Sequence, residues 1–299
     1  MTQKTPDDIY LQLVAEILEK GTIEQTRNAK TVSIFGAKMN FDLTNGKLPI
    51  LQTKRLAWKT CFRELFWFLS GSTDNRILQN QGVHIWDGNA TKEFLLSQNI
   101  NYEIEGDLGP VYGHQWRHFG ATYKDCETDY TNQGIDQIAT LIANLTNPET
   151  RQSRRHILSA WNPQQLSQMA LPPCHLLAQF NVSNGNELSC LLYQRSGDVG
   201  LGVPFNILSY SLLTHIIAKH CGLVAKEFIH IIGNAHIYED HIEPLKEQIE
   251  RGKDEETTKK QVIIEVRKKN TIDEYGLEDI IFLQPYETKY DKLQMKFVV

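Results

Sequence analysis

The chain has 299 residues, of which 41% are hydrophobic and 22% are charged, a composition sufficient to bury a full hydrophobic core. Its 31 Lys plus Arg and 36 Asp plus Glu give a net charge of -5 and a pI near 6.1. This balance excludes an overall positive field that would attract nucleic acid or anionic membranes. We therefore expect any anion to be bound by a local cluster of basic side chains.

The cysteines and the first residues indicate the compartment. The five cysteines are odd in number and contain no C-x-x-C spacing, a pattern that fits neither a disulfide framework nor a zinc site. The first residues are polar and acidic, and no apolar run approaches about 18 residues. We expect reduced thiols, a cytoplasmic location, no bound metal, no membrane contact and no specific nucleic-acid partner.

The amino-terminal half predicts two helices and a strand region. Residues 5–8, TPDD, are typical of a helix start, and apolar residues then recur at helical spacing as far as Gly21. Over residues 32–43, apolar residues alternate around Gly36, which predicts one bent strand or two short strands. Residues 58–69 are apolar on most faces and predict a nearly buried helix.

The rest of the chain predicts a hairpin among further helices and strands. Strand candidates at 175–182 and 188–195 flank a turn that contains Gly185. The other segments are predicted to be loops and short helices over 88–133, a helix over 135–145, a strand over 156–161, a helix over 207–221, a strand over 227–238 and a solvated helix end or loop over 246–260. No repeat, linker or composition break divides the chain, so we expect one domain over 1–299.

Cys174 is a candidate nucleophile in the stretch LPPCH. The predicted hairpin register places it opposite Ser196, and places His175 opposite Arg195. A free thiol has a pKa of about 8.5, and a neighbouring arginine lowers that value and enriches the thiolate. The alternative is a buried thiol that fills space, because cysteine is among the most often buried residues.

Four arginines surround otherwise apolar strand candidates, at positions 151, 154, 155 and 195. Planar guanidinium groups suit a phosphate, because they form paired charge-assisted hydrogen bonds with its oxygens. The alternative is that they are exposed charges paired with Asp or Glu, and it is strongest for Arg151. Arg195, beside Ser196 and Asp198, best fits a phosphate site.

Three long motifs carry a resemblance to a known family. LPPCH, LSCLLYQRSGDVGLGVPFNILSY and HIIGNAHIYEDHIEPLK are similar to the nucleophile, phosphate and nucleoside-binding segments of the thymidylate synthase family, most like its eukaryotic-type sequences. The stretches LQTKR, ELFWFLSGST, GVHIWDGN, GDLGPVYGHQWRHFGA and SRRHILSAWNP follow the order of the family over nearly all of the chain.

This resemblance implies a fold, a reaction and a partner. The fold would be α/β (α+β), a mixed sheet covered by helices, with the sheets of two subunits packed back to back in a homodimer. The enzyme would be a methyltransferase of nucleotide biosynthesis. It would convert dUMP and the co-substrate 5,10-methylenetetrahydrofolate to dTMP and dihydrofolate, without a metal.

The resemblance also implies roles for individual residues. Cys174 would attack C6 of the uracil, which makes C5 a carbon nucleophile. The implied catalytic residues are Cys174, Glu64, Tyr112, His175, Arg195 and Asp198. The implied dUMP-binding residues are Arg27, Arg154, Arg155, Arg195, Ser196, Asp198, Asn206, His236 and Tyr238. The implied folate-binding residues are Lys54, Ile85, Trp86, Asp198, Gly202, Phe205 and Val299.

Some of these roles are specific. Arg154 and Arg155 would reach across from the partner subunit to the phosphate. His236 and Tyr238 are two residues apart, so they would share one face of a strand and bind the ribose hydroxyl. Lys54 would face the anionic glutamate tail of the folate.

Asn206 and Glu64 each have two interpretations. The resemblance implies that the amide of Asn206 forms hydrogen bonds with the uracil base. Its position alone predicts that it caps the helix over 207–221, and both roles are compatible. Glu64 lies in an apolar helix, where desolvation raises the pKa of a carboxyl into a range useful for proton transfer. A glutamate beside Arg63 is otherwise commonly just exposed.

The sequence departs from the family pattern in four places, one of which is the charged run over 251–260 in place of the usual proline-rich link. The family usually carries an R-T-G-T-G-T-like loop before the first strand, where this chain has EQTRNAK, and Arg27 sits one residue nearer Ser33 than expected. The usual GDAHIY is GNAHIY, with Asn234 in place of a carboxylate. The C-terminus, KLQMKFVV, differs from the usual KMxMAV and follows a short insertion.

Two other functions stay open at this point. A deoxyuridylate hydroxymethylase would use water rather than hydride to complete the reaction, with tetrahydrofolate as its folate product. A nucleotide-binding regulatory protein that has lost catalysis would fit the altered loop over 24–31.

Overall fold

The computed structural model describes residues 4–26 and 29–296. Its helices are α1 (Pro6–Lys20), α2 (Trp58–Leu69), α3 (Asn75–Gln79), α4 (Asp87–Ala90), α5 (Lys92–Ser97), α6 (Tyr112–His118), α7 (Gln137–Thr146), α8 (Gly202–Cys221), α9 (Ile242–Gly252) and α10 (Glu255–Thr258). Its strands are β1 (Thr22–Gln25), β2 (Lys30–Asp42), β3 (Lys47–Leu48), β4 (Ile157–Ser159), β5 (His175–Ser183), β6 (Glu187–Asp198), β7 (Val224–Tyr238), β8 (Val262–Val266) and β9 (Ile280–Gln284).

The strands form two sheets. Among the described residues, six strands form a mixed sheet in the order β1-β2-β7-β6-β5-β4, and three form a second sheet in the order β3-β8-β9. β6 and β7 are parallel, whereas the other neighbours in the large sheet pair antiparallel. The small sheet is antiparallel throughout. Helices on a mixed sheet make a single α/β domain, which confirms the predicted fold class.

α1 begins where the sequence predicts. The Thr5 hydroxyl accepts from the Asp8 N–H at 3.1 Å, and the Asp8 carboxylate accepts from the Thr5 N–H at 2.8 Å. This reciprocal capping box satisfies donors that the first turn leaves free, and Pro6 needs no partner there because it has no N–H. Tyr10 and Ile17 are fully buried on the face of α1 that packs against β2.

α8 starts five residues earlier than predicted, at Gly202 rather than at residue 207. Gly202 and Pro204 suggest a loop in the sequence, yet proline is tolerated in a first turn, where its missing N–H would have no partner. The helix ends at Cys221, because Gly222 adopts the left-handed conformation with φ 72°. α8 packs against β6 and β7.

The two faces of the large sheet differ in burial. Residues in register share a face, and the row of Met39, Leu192 and His230 beside α8 is buried. The opposite face carries a group of apolar side chains that stay at least partly exposed in this single chain. We call this the open sheet face, and its apolar members are Ile157, Leu177, Leu191, Tyr193, Ile229 and Ile231.

Candidate active site

A β-bulge sets the position of Cys174. Val182 pairs with Leu188 as predicted, but the register of β5 against β6 shifts between His175 and Leu177. The extra residue on β5 places His175 opposite Gln194, and the Arg195 N–H donates to the Cys174 carbonyl at 2.9 Å. The predicted pairs of Cys174 with Ser196 and of His175 with Arg195 are therefore wrong by one residue, because side-chain alternation alone does not reveal a bulge.

The bulge brings the thiol and a guanidinium together. Arg195 Nη2 lies 3.7 Å from Cys174 Sγ. The guanidinium donates from Nε to the Pro173 carbonyl at 2.8 Å and from Nη2 to the Pro172 carbonyl at 2.9 Å. The guanidinium is thus oriented by hydrogen bonds to the two residues that precede Cys174 in the chain, and these bonds hold it near the sulfur.

Burial dominates the ionisation of Cys174. Desolvation raises the pKa of the thiol above its ordinary value, and the charge of Arg195 opposes this rise only in part. The prediction that the arginine leaves the thiol with a lowered pKa is wrong in its net direction, although the arginine contributes with the predicted sign. Cys174 is consequently a protonated thiol at neutral pH in the free protein.

Tyr112 and His175 pack against the Cys174 segment. The Cys174 N–H donates to the Tyr112 hydroxyl at 2.8 Å, and the Tyr112 ring stacks on His175 with 4.0 Å between centroids. His175 Nδ1 lies 2.8 Å from the hydroxyl of Tyr210, a residue that the sequence reasoning missed. Burial lowers the pKa of His175 to about 3, so the ring is neutral.

A cavity of about 280 Å³ lies beside this cluster and collects side chains from distant segments of the chain. It brings seven of the predicted residues together with Asn89, Leu171 and Leu201, which the sequence did not indicate. Asn89 Nδ2 is buried and has no hydrogen-bond partner among the described residues, so a donor stays available to a ligand. The predicted residues in the lining are Glu64, Ile85, Trp86, His175, Gly202, Phe205 and Asn206.

Glu64 is held in the cavity by Trp86. The indole Nε1 donates to Glu64 Oε1 at 2.7 Å. Burial raises the pKa of the Glu64 carboxyl to about 7, and the hydrogen bond from Trp86 opposes the rise. The rise that the sequence predicts is therefore present. The carboxyl exists as acid and as base in comparable amounts near neutral pH.

Asn206 lines the cavity from inside α8. Since α8 begins at Gly202, Asn206 lies in its second turn, and the predicted helix-capping alternative is wrong. The loop before α8 is held instead by Asp198, whose Oδ1 accepts from the Gly200 N–H at 2.9 Å and the Leu201 N–H at 3.3 Å. Asp198 thus positions the single loop that leads into Leu201 and Gly202 of the cavity lining.

Lys54 lies behind the same loop rather than in the cavity lining. Its ammonium donates to the Gly200 carbonyl at 2.6 Å, and the side chain is buried. Desolvation lowers the pKa of Lys54 to about 7, while Asp198 and Asp7 oppose that change. Contact of Lys54 with a folate tail stays a prediction.

The predicted phosphate and ribose residues meet on two parallel strands. Ser196 on β6 is in register with Asn234 on β7, and Asp198 is in register with His236. The His236 and Tyr238 rings are 5.1 Å apart, so the two side chains share a face as predicted. Their contacts with a nucleotide stay predictions.

The remaining predicted residues lie apart from this cluster. The side chains of Arg154 and Arg155 are exposed beside β4, and no ion pair joins them to another described residue. Arg27 and Val299 lie outside the described residues. Over 4–26 and 29–296, no group of three His, Cys, Asp or Glu could hold a metal ion. Within the same residues, no helix has both the length and the apolar character to cross a membrane.

Comparisons with known proteins place these features in a family. The Thymidylate synthase family model matches residues 8–299. The chain is 53% identical to a thymidylate synthase of Equine herpesvirus 2 over 81% of this chain and 83% of that protein. It is also 47% identical to a bifunctional dihydrofolate reductase-thymidylate synthase of Paramecium tetraurelia, over 97% of this chain and 61% of that protein. A bifunctional relative from Arabidopsis thaliana is 54% identical over 81% of this chain and 42% of that protein.

The chain thus spans about half the length of the bifunctional curated relatives that it matches. The family match covers nearly all of the sequence, and the chain belongs to the thymidylate synthase family.

Proposed function

We propose that this protein is a methyltransferase that converts dUMP and 5,10-methylenetetrahydrofolate to dTMP and dihydrofolate through a covalent Cys174 adduct at uracil C6. The observation that carries the proposal is the approach of Arg195 Nη2 to within 3.7 Å of Cys174 Sγ. This pair adjoins a cavity that holds a carboxyl with a pKa of about 7, at Glu64. A nucleophile, a cation and a proton-transfer group are the parts that the reaction needs.

Covalent addition activates the uracil. The Cys174 sulfur forms a bond to C6 and releases its proton to water, while the C5=C6 π electrons move to C5 and O4. After the one-carbon group is attached, loss of the C5 proton and cleavage of the S–C6 bond restore the double bond and the thiol. The thiol is protonated in the free protein, so its deprotonation is coupled to substrate binding beside Arg195. Asn206 would accept from uracil N3–H and donate to O4, and Glu64 would exchange protons on the O4 side.

The residues of the cavity fit a folate co-substrate. Ile85, Trp86 and Phe205 supply an apolar wall on which a flat ring system can stack, and the free donor of Asn89 can bind a polar edge. The folate supplies the one-carbon group and the hydride that together become the methyl group. On the nucleotide side, Arg195 and Ser196 would hold the 5′-phosphate, and His236 and Tyr238 would hold the ribose.

We also propose that the protein works as a homodimer joined through the open sheet face. Ile157 is 44% exposed and Tyr193 is 36% exposed on this face, where they lie beside the aliphatic members of the open sheet face. A contiguous apolar surface of this kind is typical of an interface between subunits. Arg154 and Arg155 lie beside β4 at the edge of the same sheet, free to reach the phosphate site of the partner subunit.

The extent of the domain and its location in the cell are part of the proposal. The hydrophobic core extends from Tyr10 to Ile280, which supports one thymidylate synthase domain over 1–299. All five cysteines are free thiols, which supports a cytoplasmic protein. The comparisons favour neither a deoxyuridylate hydroxymethylase nor a regulatory protein that has lost catalysis.

Replacement of the nucleophile tests the proposal. We expect C174S to abolish the formation of dihydrofolate from dUMP and the folate, measured by absorbance, because a serine hydroxyl is a far weaker nucleophile than a thiolate. C126S is the matched control, since Cys126 is a free thiol outside the cavity lining, and it should stay active. The wild-type protein should also form a covalent complex with 5-fluoro-dUMP and the folate, seen by mass spectrometry. Turnover by C174S, or tetrahydrofolate as the product of the wild-type protein, would contradict the proposal.

A further inference from the structure

Asn234 makes a hydrogen bond that the proposed function leaves unused. Its Oδ1 lies 3.1 Å from His236 Nδ1, on the same face of β7. Asn234 is in register with Ser196 on the neighbouring parallel strand, and His236 is in register with Asp198. The amide therefore lies between the predicted phosphate residue and the predicted ribose residue.

An amide oxygen at this distance decides which imidazole nitrogen carries the proton. A carbonyl oxygen only accepts hydrogen bonds, so its partner Nδ1 must be the protonated nitrogen. A neutral imidazole has one N–H, and Nε2 then carries a free lone pair. With the amide held in this orientation, Asn234 leaves His236 an acceptor at Nε2.

His236 is neutral at physiological pH, as this argument requires. Desolvation lowers the pKa of His236, because 8% of its surface is exposed. The titratable groups that face it are Asp198 on β6, Tyr238 on its own strand and His241 in the following turn. Asp198 raises the pKa of His236 and His241 lowers it, but burial is the largest cause. A carboxylate at position 234 would add a further charge that favours the imidazolium.

Resting on the proposed function, we propose that Asn234 is a positioning residue that fixes His236 as the Nδ1–H tautomer, so that Nε2 accepts a hydrogen bond from a hydroxyl of the nucleotide sugar. A neutral amide achieves this without placing a negative charge beside Ser196, where the proposed phosphate is bound. The site would then select a sugar that can donate a hydrogen bond at this position.

The tautomer is measurable without any ligand. In protein labelled with ¹⁵N at histidine, the ring-nitrogen shifts of His236 should show Nε2 without a proton, with the signals assigned by their loss in H236Q. N234L, which removes the acceptor, should move His236 towards the Nε2–H form. N234D keeps an acceptor and should retain the Nδ1–H form at a pH high enough to keep the imidazole neutral, while its charge should raise the pKa of His236. N101L is the control, since Asn101 is an exposed residue outside the helices and strands, and it should change nothing.

A binding comparison connects the tautomer to the sugar. We expect the wild-type protein to bind dUMP about tenfold more tightly than 3′-fluoro-2′,3′-dideoxy-UMP by calorimetry, because fluorine cannot donate to a lone pair and one hydrogen bond is lost. In N234L the preference should fall to about threefold or less, since Nε2–H can face fluorine. N234D should keep the wild-type preference at a pH where its His236 is neutral, because Nε2 then still has its lone pair.

Each outcome bears on the proposal. A wild-type His236 with Nε2 protonated would overturn it even if N234L failed to fold, and so would N234L with an unchanged tautomer or an unchanged sugar preference. A protein that shows the expected tautomer but binds no dUMP would leave Asn234 as the residue that sets the tautomer and would contradict the proposed function instead. The two failures are therefore distinguishable.

Discussion

Two groups of the candidate active site owe their shifted pKa values to the same physical cause. Burial raises the pKa of the Cys174 thiol and of the Glu64 carboxyl, and in each case a neighbour, Arg195 or Trp86, opposes the rise only in part. The free protein thus keeps both groups largely protonated below neutral pH. A bound substrate that displaces water and changes the local charge would shift both equilibria together.

Glu64 makes the stability of the protein depend on pH. Its pKa is about 7 in the folded protein and about 4.3 in an unfolded chain, so the folded state binds more protons between these values. Stability therefore falls as pH rises from about 5 to about 7, and the loss is complete above that range. E64Q cannot ionise at this position. Between pH 5 and pH 8, its free energy of unfolding should therefore fall by about 1 to 3 kcal/mol less than that of the wild-type protein. Urea unfolding at both pH values measures the difference, and E103Q, at an exposed glutamate, is the control. Equal pH dependence in E64Q and wild type would refute the role of burial.

Helices and strands differ in how much of their geometry the sequence predicts. α2 occupies residues 58–69 as predicted, because an apolar period of 3.6 marks both of its ends. The start of α8 was missed because Gly202 and Pro204 imitate a loop, although proline fits a first turn. The bulge between His175 and Leu177 was missed because strand alternation continues past it, and it moved Cys174 by one pair.

The sequence likewise predicted some residues of the candidate site and missed others. Motif resemblance identified Glu64, Trp86 and Asn206, and the fold brings these three together around one cavity. Asn89 was missed because a lone asparagine in a segment without a clear period gives no signal, and its free Nδ2 is apparent only once burial is known. Burial also reversed the predicted shift of the Cys174 pKa, because desolvation cannot be summed from neighbours in the sequence.

The end of α8 offers a test of backbone conformation alone. Gly222 has φ 72°, and a Cβ built there would meet no atom within 4 Å. G222A should therefore destabilise the protein by about 1 kcal/mol through the left-handed conformation and not through a clash. G222N should cost less, because asparagine tolerates this conformation better. Urea unfolding gives both values, and equal stability of G222A and the wild-type protein would show that the helix end relaxes.

At the scale of the whole molecule, the open sheet face and the exposed arginines belong to one proposal. The buried face of the sheet packs against α8, whereas the open sheet face has no cover in the single chain. Two such faces packed together would remove apolar surface from water on both subunits. The same arrangement would carry Arg154 and Arg155 towards the partner subunit, so that each phosphate site needs two chains.

Mixed dimers test this shared site. C174S and the double variant R154A/R155A should each have little activity, for different reasons. If a site takes Cys174 from one chain and the arginines from the other, each heterodimer of the two variants contains one intact site. Random reassociation of equal amounts makes half of the dimers heterodimers, so the mixture should recover about a quarter of the wild-type rate of dihydrofolate formation. A mixture of C174S with C174S/R154A/R155A contains no intact site and should stay inactive. If the mixture of C174S with R154A/R155A is no more active than the two separate variants, the arginines act in their own subunit or have no role in the site.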